Sequence, residues 1–163
     1  MMRWLFTGLL TTTLLGCGFK PAVTWSKVDG PVTIITAEPY SPVQRDLNLL
    51  VQQSLAEFDQ VPTSPGLRRI ELMTAEITTD VLAVDGNGRP AEYRIEYQQL
   101  AQFTIDDQTY TETFSQRRDY VFDVRDILAY QQQVEELKRA MSARLAQQIL
   151  YAYSAKLQIG ADN

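Results

Sequence analysis

Histidine is absent from all 163 residues and cysteine occurs once. Without an imidazole, and with a single thiol, the usual general base, the familiar nucleophile–base pairs and most transition-metal ligand sets are unavailable. A disulfide within the chain is impossible, so packing has to hold the fold. No apolar run reaches the roughly 20 residues that a bilayer-spanning helix needs. Basic charge is also short, with 15 Lys and Arg against 20 Asp and Glu. That balance disfavours nucleic acid as a partner, because phosphate contact supplies most of such affinity.

The one cysteine sits at a telling place. Arg3 precedes an apolar run from Trp4 to Leu15, about 12 residues, the length of a secretory h-region rather than of a membrane span. The run ends in Leu14-Leu15-Gly16-Cys17, which resembles the lipobox read by lipoprotein signal peptidase. Leu15 is bulkier than the residue usual there. On this reading residues 1–16 are cleaved and Cys17 carries a thioether-linked diacylglycerol and an N-acyl chain. Each buried methylene contributes about 0.8 kcal/mol, so two or three chains hold a protein on a membrane essentially permanently. Gly18 replaces the aspartate that retains many lipoproteins at the inner membrane, so the outer membrane is the expected address. The mature balance becomes 14 basic against 20 acidic residues, net −6.

Residues 17–31 read as the lipidated N-terminus and a tether, 32–157 as a single domain and 158–163 as a flexible tail. Val32 to Ala37 is a short β-branched strand. Ser41-Pro42 with Gln44 has the spacing of a helix start, and Val43, Leu47, Leu50, Val51, Leu55 and Phe58 recur at helical period behind it. A loop with two prolines spans Val61 to Gly66. Arg68 to Val84 is extended, but its apolar residues change from even to odd positions, which predicts a bulge near Met73. Asp85 to Pro90 is a turn. The next strand alternates cleanly. Tyr93, Ile95, Tyr97, Ala101, Phe103 and Ile105 face one way, while Arg94, Glu96, Gln98, Gln102 and Thr104 face the other. After a turn at Asp106-Asp107-Gln108, Tyr110, Phe114, Tyr120 and Phe122 share a face opposite Thr109, Thr111, Thr113, Ser115 and Arg117. Glu112 and Arg118 interrupt the apolar face and are expected near its edge. From about Val124 to Leu157 the period is helical, with Ile127, Tyr130, Val134, Leu137, Met141, Leu145, Ile149 and Tyr153 in one stripe.

A helix of that length runs about 50 Å at 1.5 Å per residue, and strands of about 14 to 16 residues run nearly as far. The expected fold is α+β: a two-layer sandwich with a mainly antiparallel sheet of about four strands, three of them long. Two helices cover one face, the C-terminal one long.

The order Cys17-Gly18-Phe19, short strand, Pro-Tyr-Ser-Pro helix start, Ala91-Glu92-Tyr93-Arg94-Ile95 after a Gly-rich turn, Arg117 to Asp123 with Ile127-Leu128-Ala129, and Ala146 to Leu150 in a long helix resembles the LPS-assembly lipoprotein LptE (RlpB) family. The resemblance covers nearly the whole mature chain and rests on order and spacing rather than on any single motif. It implies a non-enzymatic subunit without cofactors beyond the lipid on Cys17. Such a subunit sits at the outer membrane, facing the periplasm or within the lumen of the barrel LptD, which it plugs and helps assemble, and contacts lipopolysaccharide. Given that ligand, Arg89, Arg94, Arg117, Arg118 and Arg125 are the candidate phosphate contacts, since guanidinium binds phosphate in a bidentate, weakly hydrated manner. Two other readings remain open at this point. One is an envelope lipoprotein that binds lipid or scaffolds the envelope without a barrel. The other is an enzyme using Asp106 with Asp107 or Glu135 with Glu136, although adjacent acids seldom converge on one substrate.

Overall fold

A computed structural model describes residues 32–38, 40–58, 68–122 and 127–161. Cys17, the tether, the Val61 to Gly66 loop and Arg125 lie outside the described residues. Among those described are five strands and two helices in the order β1 (Thr33–Thr36), α1 (Pro42–Phe58), β2 (Arg68–Leu72), β3 (Glu76–Val84), β4 (Pro90–Ile105), β5 (Gln108–Val121) and α2 (Ile127–Ala161). The α+β expectation holds, with differences of detail: the stretch Arg68 to Val84, expected as one of about four strands, is two, β2 and β3, divided at 73–75. The sheet is mixed, because β1 pairs with β2 in parallel while every other pair is antiparallel. A strand, a helix and then a neighbouring strand bring the chain back in the same direction, which makes the pair parallel. In addition, α2 continues to Ala161, so residues 158–161, expected as tail, are helical.

The long β4 is the spine of the sheet. On one side it pairs with β5 along its whole length, and on the other with β2 and then β3. Leu72 stands opposite Ala101 and Glu76 opposite Gln98. Four steps along one chain therefore match three along the other, and the extra residue among 73–75 is the bulge that the change of phase predicts. Gln99 occupies the helix side of β4 at this point, 1 % exposed. Its Nε2 donates to the carbonyls of Met73 (2.6 Å) and Leu100 (3.1 Å), so the backbone group freed by the bulge is satisfied from within. Glu38 serves the other end, its Oε1 accepting from Ala75 N–H at 3.2 Å.

The helix α1 starts as its sequence dictates. Pro42 is the first helical residue, and the Ser41 hydroxyl accepts from Gln44 N–H at 3.5 Å while its carbonyl accepts from Arg45 N–H. Val43, Leu47 and Val51 of α1 pack with Ile70, Leu72, Ala101, Phe103 and Ile105 of the sheet and with Met141, Leu145, Ile149 and Tyr153 of α2. Phe103 meets Tyr153 edge-on at 5.8 Å. The helices also pack on each other, and the buried Ser142 hydroxyl donates to Asp46 Oδ2 at 2.6 Å. Farther along, Tyr93 stacks on Tyr120 at 5.3 Å and Phe122 meets Tyr130 edge-on at 4.6 Å, an aromatic group that closes the core beneath the start of α2. No helix among the described residues is long and apolar enough to cross a membrane.

Candidate functional site: the open sheet face and its ion-pair ladder

The helices cover one face of the sheet, and the opposite face carries the even-numbered residues of β4 with their partners. Gln98 stands against Ser115, Leu100 against Thr113, Gln102 against Thr111 and Thr104 against Thr109. Toward the β3–β4 turn this polar ribbon becomes charged. Arg94 is opposite Asp119 and Glu96 opposite Arg117, so the signs alternate both along and across the strands.

The contacts are close. Arg94 grips Asp119 through two hydrogen bonds, Nε to Oδ1 at 2.7 Å and Nη2 to Oδ2 at 2.8 Å. Arg117 Nη2 donates to Glu96 Oε1 at 2.9 Å, and Gln98 Nε2 reaches the same oxygen at 2.9 Å. Bidentate guanidinium–carboxylate geometry is the strong form of such a pair. The titration behaviour follows: the hydrogen bonds from Arg94 hold the Asp119 carboxyl below its ordinary value, and those from Arg117 and Gln98 do the same to Glu96. Reciprocally, the hydrogen bonds to Asp119 and Glu96 raise Arg94 and Arg117. Arg94, Arg117, Arg118 and Asp119 line a shallow open depression of about 440 Å³.

Three of the five candidate arginines are thus brought together. Arg94 and Arg117 lie on the helix-free face as their alternation predicts, and Arg118 lies in register with Ile95 on the helix side of the edge strand. Its Nη1 donates to the Arg117 carbonyl at 3.2 Å. Arg89 stands apart, in the β3–β4 loop. There the Asp85 carboxylate accepts from Asn87 N–H (2.8 Å), Arg89 N–H (2.9 Å) and Arg89 Nε (3.2 Å), and those backbone hydrogen bonds depress its pKa. Arg125 falls outside the described residues. Sequence alternation found the face of Arg94 and of Arg117 but missed the carboxylates that hold them.

The acid pairs that the sequence offers lie on the surface. Asp106 and Asp107 are the two exposed residues of the β4–β5 turn, Asp106 with φ 53. Glu135 is an exposed residue of α2 bonded to Lys138 at 3.3 Å. Among the described residues no group of three or more acids, histidines or cysteines is placed to hold a metal ion.

The architecture is shared with several bacterial lipoproteins of known structure. The rare lipoprotein B of Shewanella oneidensis is 20 % identical with a TM-score of 0.66, the match covering 81 % of this chain and 98 % of that one. A lipoprotein B of Nitrosomonas europaea is 19 % identical with a TM-score of 0.58, over 82 % and 87 % of the two chains. A minor lipoprotein of Acinetobacter baumannii is 18 % identical with a TM-score of 0.56, over 79 % and 93 %. At these identities the likeness is one of fold. No curated protein matches. The more particular assignment comes from residues 31–152, which match the family model described as LptE, lipopolysaccharide-assembly; the chain belongs to that family and so to lipopolysaccharide assembly in the bacterial envelope.

Proposed function

We propose that this chain is a non-enzymatic plug and assembly subunit for an LptD-type β-barrel of the outer membrane, tethered there by lipid on Cys17. The observation that carries the reading is a helix-free sheet face that is polar along most of the paired length of β4 and β5, with Leu100 and Val121 its apolar positions. The lumen of a large outer-membrane barrel is polar and hydrated, so a plug has to present such a surface to it. Ladders of Thr, Gln and paired charges suit that setting because they form hydrogen bonds without an apolar area that would drive self-association.

Lipopolysaccharide phosphates are the proposed ligand of the depression at Arg94, Arg117 and Arg118. A phosphate binds by replacing the carboxylate of Asp119 on Arg94, an exchange between two bidentate partners of like geometry, or by displacing the single hydrogen bond of Glu96 to Arg117. Co-purification from detergent-solubilised outer membrane should recover a large β-barrel in stoichiometric amount; recovery of this chain alone refutes the plug. Replacing both Arg94 and Arg117 by Gln should weaken lipopolysaccharide binding, whereas Arg139→Gln on α2 should not. Equal loss in the two proteins removes the ladder from the ligand site. Cys17→Ala should leave an unprocessed precursor or a domain released from membranes, and normal retention refutes the anchor.

A further inference from the structure

All nine residues of β3 are exposed. The strand has β4 on one side, and among the described residues nothing pairs with its other edge, because β1 extends the sheet beside β2 only. Natural edge strands are blunted by proline, by lysine, by shortness or by a cover. β3 spans Glu76–Val84 and contains neither proline nor lysine, and its register shifts against β4 fall after Val81, which leaves the stretch 76–81 regular. Ile77 and Val81 are 45 % and 51 % exposed.

The ladder reveals which backbone groups face outward. Phe122 N–H donates to Ala91 O, so odd residues of β4 turn toward β5, and Met73 N–H donates to Leu100 O, so even residues turn toward β2 and β3. Antiparallel pairs alternate between hydrogen-bonded and open. Glu76, Thr78 and Asp80, opposite Gln98, Glu96 and Arg94, are therefore bonded into the sheet. Ile77, Thr79 and Val81 point their N–H and C=O away from it. Their side chains stand on the helix side, in register with Tyr97, Ile95 and Tyr93. Glu76 and Asp80 occupy the other face.

We propose that this edge receives an extended segment of another polypeptide as an added strand, with apolar residues beside Ile77 and Val81 alternating with basic residues beside Glu76 and Asp80. Strand addition of this kind takes its affinity from main-chain hydrogen bonds and its specificity from alternate side chains. A second copy of this chain fits less well. Pairing centred on Thr79 matches the outward groups but sets the two Asp80 side chains on one face as diagonal neighbours, about 7–8 Å apart. The mature chain is also acidic overall. A basic strand turns that repulsion into attraction.

The test uses the full-length chain in detergent and two short labelled peptides, one of alternating lysine and valine and one of alternating glutamate and valine. The lysine peptide should bind about tenfold more tightly, two cross-strand charge pairs supplying the difference. It should also slow amide exchange at Ile77, Thr79 and Val81. Thr79→Pro removes an outward N–H and leaves the inward ladder whole, so it should abolish binding. Should that variant fail to fold, replacement of both Glu76 and Asp80 by Lys decides instead, and preference should pass to the glutamate peptide. Equal binding of the two peptides, or undiminished binding to the proline variant, overturns the proposal. Protection of the same amides that rises with protein concentration in the absence of peptide assigns the edge to a second copy and also overturns it. None of these results depends on the ligand of the arginine depression or on the barrel partner, which co-purification tests separately.

Discussion

The two flanks of β4 begin from similar sequence and end in opposite environments. Along β5 the inner face is roofed by α2 and clasped at three heights. Glu112 binds Lys156 at 2.9 Å, Gln116 binds Gln148 at 3.0 Å, and the hydroxyls of Tyr120 and Tyr130 lie 3.1 Å apart. Among the described residues neither face of β3 is covered, although Ile77 and Val81 are as apolar as anything on β5. The difference lies in the reach of the helices. α2 has 35 residues and runs the length of β5, whereas α1 has 17 and packs chiefly against α2 and β1. Hydrophobicity made both flanks extended, and helix placement decided which became core.

The largest effect should come from the roofed flank. Phe103→Ala removes a ring with no exposure that touches both Phe114 and Tyr153, and should cost about 3–5 kcal/mol in denaturant unfolding. A cost below about 1 kcal/mol would mean that the roof is not where stability resides. Next is the seam between the flanks. Gln99→Ala strips the cover from the Met73 carbonyl and should cost about 1–3 kcal/mol, with faster amide exchange at the bulge. On the bare flank, Ile77→Ala should cost less than about 1 kcal/mol, because nearly half of the side chain is already in water. A loss equal to that of Phe103→Ala would erase the contrast. The smallest effect belongs to the exposed ladder. Asp119 and Glu96 have depressed pKa values when folded, so their contribution is whole above the ordinary carboxylate range and fades as pH falls through and below it, from about pH 4 downward. The small advantage of the wild type over Asp119→Asn in thermal midpoint should vanish in acid and shrink in high salt; an advantage that persists there would show that the pair is not electrostatic in origin.

Much of this was legible before any coordinates. Ser41-Pro42 gave the start of α1, the even-to-odd change gave the bulge at 73–75, and alternation sorted β4 and β5 into a helix side and an open side. Glu112 and Arg118 do sit on an edge strand. The ion pairs escaped because they depend on register. Only with Asp106 and Asp107 as the entire turn does Arg94 fall opposite Asp119; a turn of three residues slips the ladder and loses the match. Gln99 had a signal, a polar residue in an otherwise apolar period, but its partner is a carbonyl exposed by an irregularity elsewhere. The parallel β1–β2 pair and the bare β3 are products of where α1 lies in space, which no local pattern encodes.

Tyr153 also bears on titration. Burial against the sheet pushes the Tyr153 phenol up to about 12, and the hydroxyl has no hydrogen-bond partner among the described residues.

The two-residue turn at Asp106-Asp107 has a consequence for the order of assembly. Among the described residues it joins the longest ladder by the shortest loop, so β4 and β5 can pair at the least cost in loop entropy. β3 joins across a turn only slightly longer, while β1 must close a connection that includes all of α1 before it meets β2. Local contacts form fastest when closure is cheap. The sheet is thus arranged to grow outward from its spine, with its one parallel pair, the most remote in sequence, as the natural last step.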